Sequence, residues 1–335
     1  MVDVQAILDG QRLALSRLLS AIENQTPEGQ QALADLFPHT GRAHLIGVTG
    51  APGTGKSSLV NQLALHYRKA TDPKKVAVVA VDPSSPFTGG AVLGDRIRMT
   101  ALSGDAGVFI RSMATRGSLG GLGRATAGMV QAFDAAGFEI ILIETVGAGQ
   151  SEVDIARLAH TTLVVEAPGL GDEIQAIKAG ILEIADILVV NKSDRPGVES
   201  TERALRNMLQ LAHPVARVFQ HHGEPMAVAA PAQTEETALW IPPIQRTVAA
   251  DGQGVPELLE HIAAHRAHLE ATGELAQRER ARLAAELDAR LHEALLQRWQ
   301  TGQQADAYEK TLDQVLARAL SPQDAVRQLV NGKKG

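Results

Sequence analysis

Apolar positions along the chain change their spacing twice. Over residues 4–36 they recur at helical intervals (Ile7, Leu8, Leu15, Leu18, Leu19, Ile22, then Leu33 and Leu36), with a break around Thr26-Pro27-Glu28-Gly29. That spacing predicts two or three short helices. From about residue 43, short apolar runs alternate with helical stretches, which predicts strands over 44–49, 76–81, 108–112, 140–144, 162–166, 187–191 and 244–248. Several of these runs are continuously apolar, as in strands covered on both faces, so the expected core is a doubly wound, mostly parallel α/β sheet. Pro225, Pro231, Pro242 and Pro243 make the stretch 225–243 read as a loop or excursion. Beyond about residue 265 the pattern is wholly helical. Leu283, Leu287, Leu291 and Leu295 form an i, i+4 stripe ending near Trp299, and Gly302 suggests a stop. Ser321-Pro322-Gln323-Asp324 reads as a cap with proline at the first helical position of a last helix. The boundaries that follow are an N-terminal helical extension over 1–42, the α/β domain over 43–265 and a helical extension over 266–335.

The first strand runs into Gly50-Ala51-Pro52-Gly53-Thr54-Gly55-Lys56-Ser57, which fits the phosphate-loop pattern G-x-x-x-x-G-K-[ST], and Ser58 opens the helix after it. Glycines let successive N–H groups face a polyphosphate at a helix N-terminus, where the dipole also favours anions. Lys56 is placed to reach the outer phosphates, and the Ser57 hydroxyl to ligate Mg²⁺. The chain is therefore expected to bind a nucleoside triphosphate.

The base follows from Asn191-Lys192-Ser193-Asp194 at the end of the strand over 187–191. A carboxylate at Asp194 can accept two hydrogen bonds from guanine, whereas adenine would leave it desolvated and unpaired. The Lys192 stem can lie over the base plane, and Ala249-Ala250 after the last strand can offer N–H groups to the base oxygen. The strand over 140–144 ends in Glu144, placed to hold Mg²⁺ directly or through water, and Gly147 can sense the γ-phosphate. In the commoner Asp-x-x-Gly pattern a glutamine directly follows the glycine; here Ala148 follows and Gln150 lies three beyond Gly147. Hydrolysis is therefore expected to be slow unless a partner completes the site. Asp82 and Asp95 are two further carboxylates that can reach the metal or its waters from a switch segment.

Composition narrows the class. With 44% hydrophobic and 21% charged residues, this is an ordinary globular chain. A net charge of −6 argues against a nucleic-acid or anionic-membrane partner. The absence of cysteine removes disulfides, thiolate metal sites and cysteine nucleophiles. Neither a signal peptide nor an apolar run of spanning length is visible, and a cytoplasmic setting is expected.

Taken together, Val81-Asp82-Pro83-Ser84-Ser85, Gly89–Arg96, the run from Ile110 to Gly121, Glu144-Thr145-Val146-Gly147-Ala148-Gly149-Gln150-Ser151-Glu152, Pro168–Gly180 and Asn191–Asp194 make the chain resemble the MeaB/ArgK family. Its members are GTPase chaperones of methylmalonyl-CoA mutase and related adenosylcobalamin-dependent acyl-CoA mutases. The resemblance implies that Lys56 contacts phosphates, that Ser57, Asp82, Asp95 and Glu144 form the Mg²⁺ environment, and that Asn191 and Asp194 read guanine. It also implies an extra switch loop over 168–178 with Lys178 near the nucleotide, adenosylcobalamin met only through the partner mutase, and a homodimer formed by C-terminal helices.

Two other classes of protein share features of this chain. A nickel metallochaperone GTPase shares the core fold but needs cysteine or a histidine tract. His261, His265 and His268 fall at i, i+4, i+7 and read as a solvated helix face, and His221-His222 as a surface loop. A small-molecule kinase would need an acceptor pocket and a base, and guanine reading would be unusual in it.

Overall fold

The computed structural model describes residues 2–83, 102, 104–115, 121–145, 151–169, 184–212, 218–221, 224–227, 239–301 and 305–331. The chain divides into two compact units, Met1–Glu279 and Arg280–Gly335.

In the first unit the N-terminal periodicity becomes three helices, α1 (Val4–Leu8), α2 (Arg12–Glu23) and α3 (Pro27–Leu36). Thr26 accepts from the Gly29 N–H and Pro27 occupies the first turn, so the break expected at Thr26–Gly29 is a helix start. A short 3₁₀ turn, Phe37–His39, leads into the sheet. Its strands are β1 (His44–Thr49), β2 (Val76–Pro83), β3 (Val108–Thr115), β4 (Ile140–Thr145), β5 (Thr161–Glu166), β6 (Ile187–Val190) and β9 (Ile244–Arg246), in the order β3-β2-β4-β1-β5-β6-β9, all parallel. The helices that join them are α4 (Lys56–Lys69), α5 (Gly121–Ala135), α6 (Ser151–Leu158), α7 (Val198–Ala212) and α8 (Val255–Thr272).

Side chains alternate between two packed layers. Leu45, Val79, Ile141 and Ile143 join Leu15, Leu18, Leu19, Leu33, Met129, Phe133 and Ile155 on one face. Ile46, Val48, Val78, Leu142, Leu163 and Val189 meet Leu59, Val60, Leu63, Leu258 and Ile262 on the other. A smaller group around Leu188, Leu205 and Leu209 seats α7. Asp134, at the end of α5, collects the N–H groups of Gly41, Arg42 and Ala43, fixing the chain as it turns into β1.

Two sequence expectations change. Within 218–227 the chain forms a small antiparallel hairpin, β7 (Val218–His221) with β8 (Glu224–Ala227), so Pro225 sits in a strand and His221 is not in a loop. His222 and residues 228–238 lie outside the described residues. The last sheet strand stops at Arg246, after which Val248 bridges to Gln253 in a tight return.

The second unit follows α9 (Glu274–Thr301) with α10 (Ala305–Leu316) and α11 (Pro322–Asn331). Ser321 caps α11 through the Asp324 N–H, with Pro322 opening the helix as expected. Trp299 donates to the Leu329 carbonyl and meets Tyr308 edge-on. Leu287, Leu291, Leu295 and Leu296 stand exposed on α9. Among the described residues no helix is long and apolar enough to cross a membrane.

Candidate functional site

β1 ends at Thr49, and the next six residues turn the chain into α4 so that its N-terminus points back at the strand ends. Gly50 has φ +137 and its α-carbon lies against the Val165 carbonyl, 2.1 Å from where a Cβ would stand. Gly55 has φ +95, and a Cβ there would meet Asn191 Nδ2 at 2.4 Å. Both positions exclude a side chain on backbone conformation and on space. Lys56 is 5% exposed, and its ammonium donates to the carbonyls of Gly50 (2.8 Å) and Ala51 (2.9 Å). The Thr54 hydroxyl closes the turn onto the Ala51 carbonyl. Pro52 and Gly53 are exposed on the outer rim, and Ser58 is exposed on α4.

Beside the loop, the Ser57 hydroxyl donates to Glu144 Oε1 at 2.6 Å. Register explains the meeting: β1 and β4 are neighbours with Val48 opposite Glu144, and the helix after β1 begins one turn above them. Glu144 is buried at 5% exposure. A hydroxyl and a carboxylate side by side are hard oxygen donors, a set that suits Mg²⁺ rather than a softer metal.

The second half lies two strands away. Asn191 Nδ2 donates to the Thr54 carbonyl at 2.7 Å, while Asn191 Oδ1 accepts from the Ala249 N–H (2.9 Å) and the Thr247 hydroxyl (3.1 Å). One side chain thus fastens the phosphate loop, the strand β6 and the closing turn. Lys192 has φ +57, rare for a residue with a side chain, and its ammonium reaches the Gly53 carbonyl. The Lys192 stem therefore spans from the base-reading segment to the phosphate loop. Asp194 is exposed, and its carboxylate has no partner among the described residues. The Ala249 N–H is already directed at Asn191; the Ala250 N–H is not engaged among the described residues.

The family model described as methylmalonyl Co-A mutase-associated GTPase MeaB matches residues 15–304. The chain belongs to the MeaB family. A putative GTPase of Pyrococcus horikoshii is 42% identical over 322 residues, covering 96% of this chain and 94% of the relative. The GTPase ArgK of Escherichia coli is 32% identical over 333 residues, covering 97% and 94%. A solved structure named LAO/AO transport system kinase is similar with a TM-score of 0.68 at 26% identity, over 98% of this chain and 95% of that one.

Not all of the expected MeaB-type residues can be placed. Asp82 is on β2 opposite Ala114, and only its backbone is described. Asp95, Gly147 and Lys178 lie outside the described residues, as do Gln150 and most of the segment over 168–178. One residue that pattern reading missed is Thr247, buried at 0% exposure at the end of the edge strand. The available signal was its place just before Ala249-Ala250, but only the fold brings it to Asn191.

The opposite ends of the strands hold a second polar cluster, where the reading of the histidine triplet needs correction. His265 is not solvated: it is fully buried, because α8 packs on the sheet with that side inward. Its Nδ1 shares a 2.9 Å hydrogen bond with Thr161 Oγ1, which also meets His44 Nε2 at 2.8 Å. His265 Nε2 stands 3.2 Å from Asp186 Oδ1. Asp186 further accepts from the Thr162 N–H (2.8 Å) and from both terminal nitrogens of Arg278 (2.8 and 3.0 Å). Burial alone would push the Asp186 carboxyl up, but His265 and Arg278 outweigh it and hold it below the usual carboxylate range. Burial, helped by the positive charge of Arg266 and the neighbouring imidazoles of His160 and His265, depresses His44 to about 3.

Proposed function

We propose that this chain binds GTP with Mg²⁺, hydrolyses it slowly on its own, and uses nucleotide state to control the loading or exchange, and the protection, of adenosylcobalamin on a methylmalonyl-CoA mutase-type acyl-CoA mutase. The observation that carries the nucleotide half is the Asn191 clamp, which joins the phosphate loop to the base-reading segment so that one ligand touches both. The partner half is supported by the description of the family to which the chain belongs.

In this reading the loop Gly50–Ser57 and the start of α4 cradle the phosphates with backbone N–H groups. Lys56 exchanges its carbonyl partners for phosphate oxygens. Ser57 and Glu144, joined by Asp82 and Asp95, would hold Mg²⁺, which supplies charge neutralisation along the phosphates. Gly147 and Lys178 would face the terminal phosphate. Asp194 accepts from the guanine edge, Lys192 covers the base plane, and Ala250 offers its N–H to the base oxygen. Asn191 acts chiefly by holding these pieces in place. No glutamine follows Gly147 directly to orient the attacking water, so a partner surface is needed for fast turnover. The exposed leucine stripe of α9 is proposed as a homodimer contact within the extension 266–335, and the setting as cytoplasmic.

The test is GTP turnover, followed as phosphate release, with and without a cobalamin-dependent acyl-CoA mutase. A rise of about a hundredfold on adding the mutase is expected, the lower end of what one well-placed charge-stabilising contact supplies. No change at saturating mutase would contradict the coupled role.

A further inference from the structure

The clusters at the two ends of β6 belong to one short, rigid piece. Ile187–Val190 is four apolar residues, all fully buried and hydrogen-bonded on both sides, by β5 and β9. Asp186 stands at one end and Asn191 at the other, roughly 16 Å apart at the rise of a strand. Where Asp186 is held therefore fixes where Asn191 can reach, since a close-packed strand shifts as a body rather than stretching.

Asp186 is held from several sides. Its backbone N–H bonds the Thr162 carbonyl, and its own carbonyl accepts the Trp240 indole N–H at 2.8 Å. Its carboxylate takes the Thr162 N–H and the fork of Arg278, with His265 Nε2 3.2 Å away. Arg278 is on the opening turns of α9 and also donates to the His160 carbonyl just before β5. Two parallel N–H bonds from a planar guanidinium set direction as well as attraction, and a half-buried pair is screened less than a surface one.

We infer that Arg278 and Asp186 are positioning residues for base recognition, seating β6 so that Asn191 holds the residues after it where they meet the guanine. Guanine affinity then depends on how the opening turn of α9, residues 274–279, is held at the far end of the sheet. This rests on the guanine reading above. Arg278 bonds residues at the starts of β5 and β6 directly, whereas β1 and the phosphate loop are reached at second hand, from His160 to Leu45 and from Asn191 to Thr54, so its loss falls more heavily on the base half of the ligand.

Affinities for GDP and for inosine diphosphate separate the two halves. Both present the same phosphates, but inosine lacks the amino group that Asp194 would accept from. In the unaltered protein GDP should bind at least about tenfold more tightly, the value of one hydrogen bond to a charged group. Arg278→Gln should cut the GDP preference several-fold with a smaller loss for inosine diphosphate, and Arg278→Lys, retaining one donor, should recover part of it. Asp186→Asn combined with Arg278→Gln should lose no more than the worse single variant, because both act through one contact. Arg278 is partly exposed, so its variants remain informative should Asp186→Asn fail to fold. Equal weakening of both nucleotides, or an unchanged ratio in Arg278→Gln, would overturn the inference while leaving guanine binding intact. Equal affinities in the unaltered protein would overturn the guanine reading and this inference with it.

Discussion

Lys56 shows how much one position constrains. A lysine at 5% exposure needs acceptors for its ammonium, and the Gly50 and Ala51 carbonyls supply them. In the proposed reading the same loop cradles the phosphates, and the ammonium exchanges these carbonyls for their oxygens. Lys56→Ala should lower GTP affinity by at least about a hundredfold, equivalent to ~2.7 kcal/mol, in an equilibrium titration with Mg²⁺ present. Wild-type affinity in that variant would contradict the assignment of the loop. Lys56, Ser57 and Glu144 were legible in the sequence because each lies in a contiguous pattern tied to a strand end. The contact between Ser57 and Glu144 was foreshadowed only as a shared metal. Asn191 was legible as a residue but not as a clamp, since its partners Thr54 and Thr247 are 137 and 56 positions away.

At the scale of elements, the strand starts at residues 44, 76, 108, 140, 187 and 244 could be read from apolar runs, because a strand covered on both faces leaves an unbroken signature. The hairpin β7–β8 could not: its strands are four residues each, one contains proline, and neither joins the main sheet. The buried face of α8 is hidden from pattern reading for a related reason. Histidine at helical spacing reads as polar, yet His265 is inside, its Nδ1 hydrogen-bonded to Thr161 and its Nε2 3.2 Å from Asp186. The same polar layer gives the strand ends a pH dependence. An unfolded His44 takes a proton near pH 6.5, whereas burial keeps it neutral in the fold down to about 3. Between those values the unfolded chain binds the extra proton, so stability falls as pH drops, by up to about 1.4 kcal/mol per pH unit, and this contribution is constant above 6.5. Denaturant midpoints measured from pH 7.5 to 4.5 should show that slope, and His44→Gln, which keeps a donor for Thr161, should flatten it. An equal slope in both proteins would contradict the buried neutral imidazole. Asp186, held low by His265 and Arg278, adds its own loss only in more acid solution, as pH falls through its depressed value.

Over the whole molecule, alternation of strands and helices disclosed the architecture, while the strand order β3-β2-β4-β1-β5-β6-β9 did not follow from it. That order puts β1 between β4 and β5, with β6 next to β5, which brings Glu144, the phosphate loop and Asn191-Lys192-Ser193-Asp194 to a single edge of the sheet. Residues nearly 140 positions apart thereby meet at one place. Of the i, i+4 stripe on α9, Leu287, Leu291 and Leu295 stand exposed and Leu283 is half-buried. Calorimetric titration of the purified protein with GTP and with ATP, each with Mg²⁺, bears most directly on the joined site. One saturable site for GTP and binding of ATP weaker by at least about a hundredfold is the expected result, since adenine leaves Asp194 unpaired. Folded protein that gives no heat with GTP, or equal affinities for the two nucleotides, would contradict it.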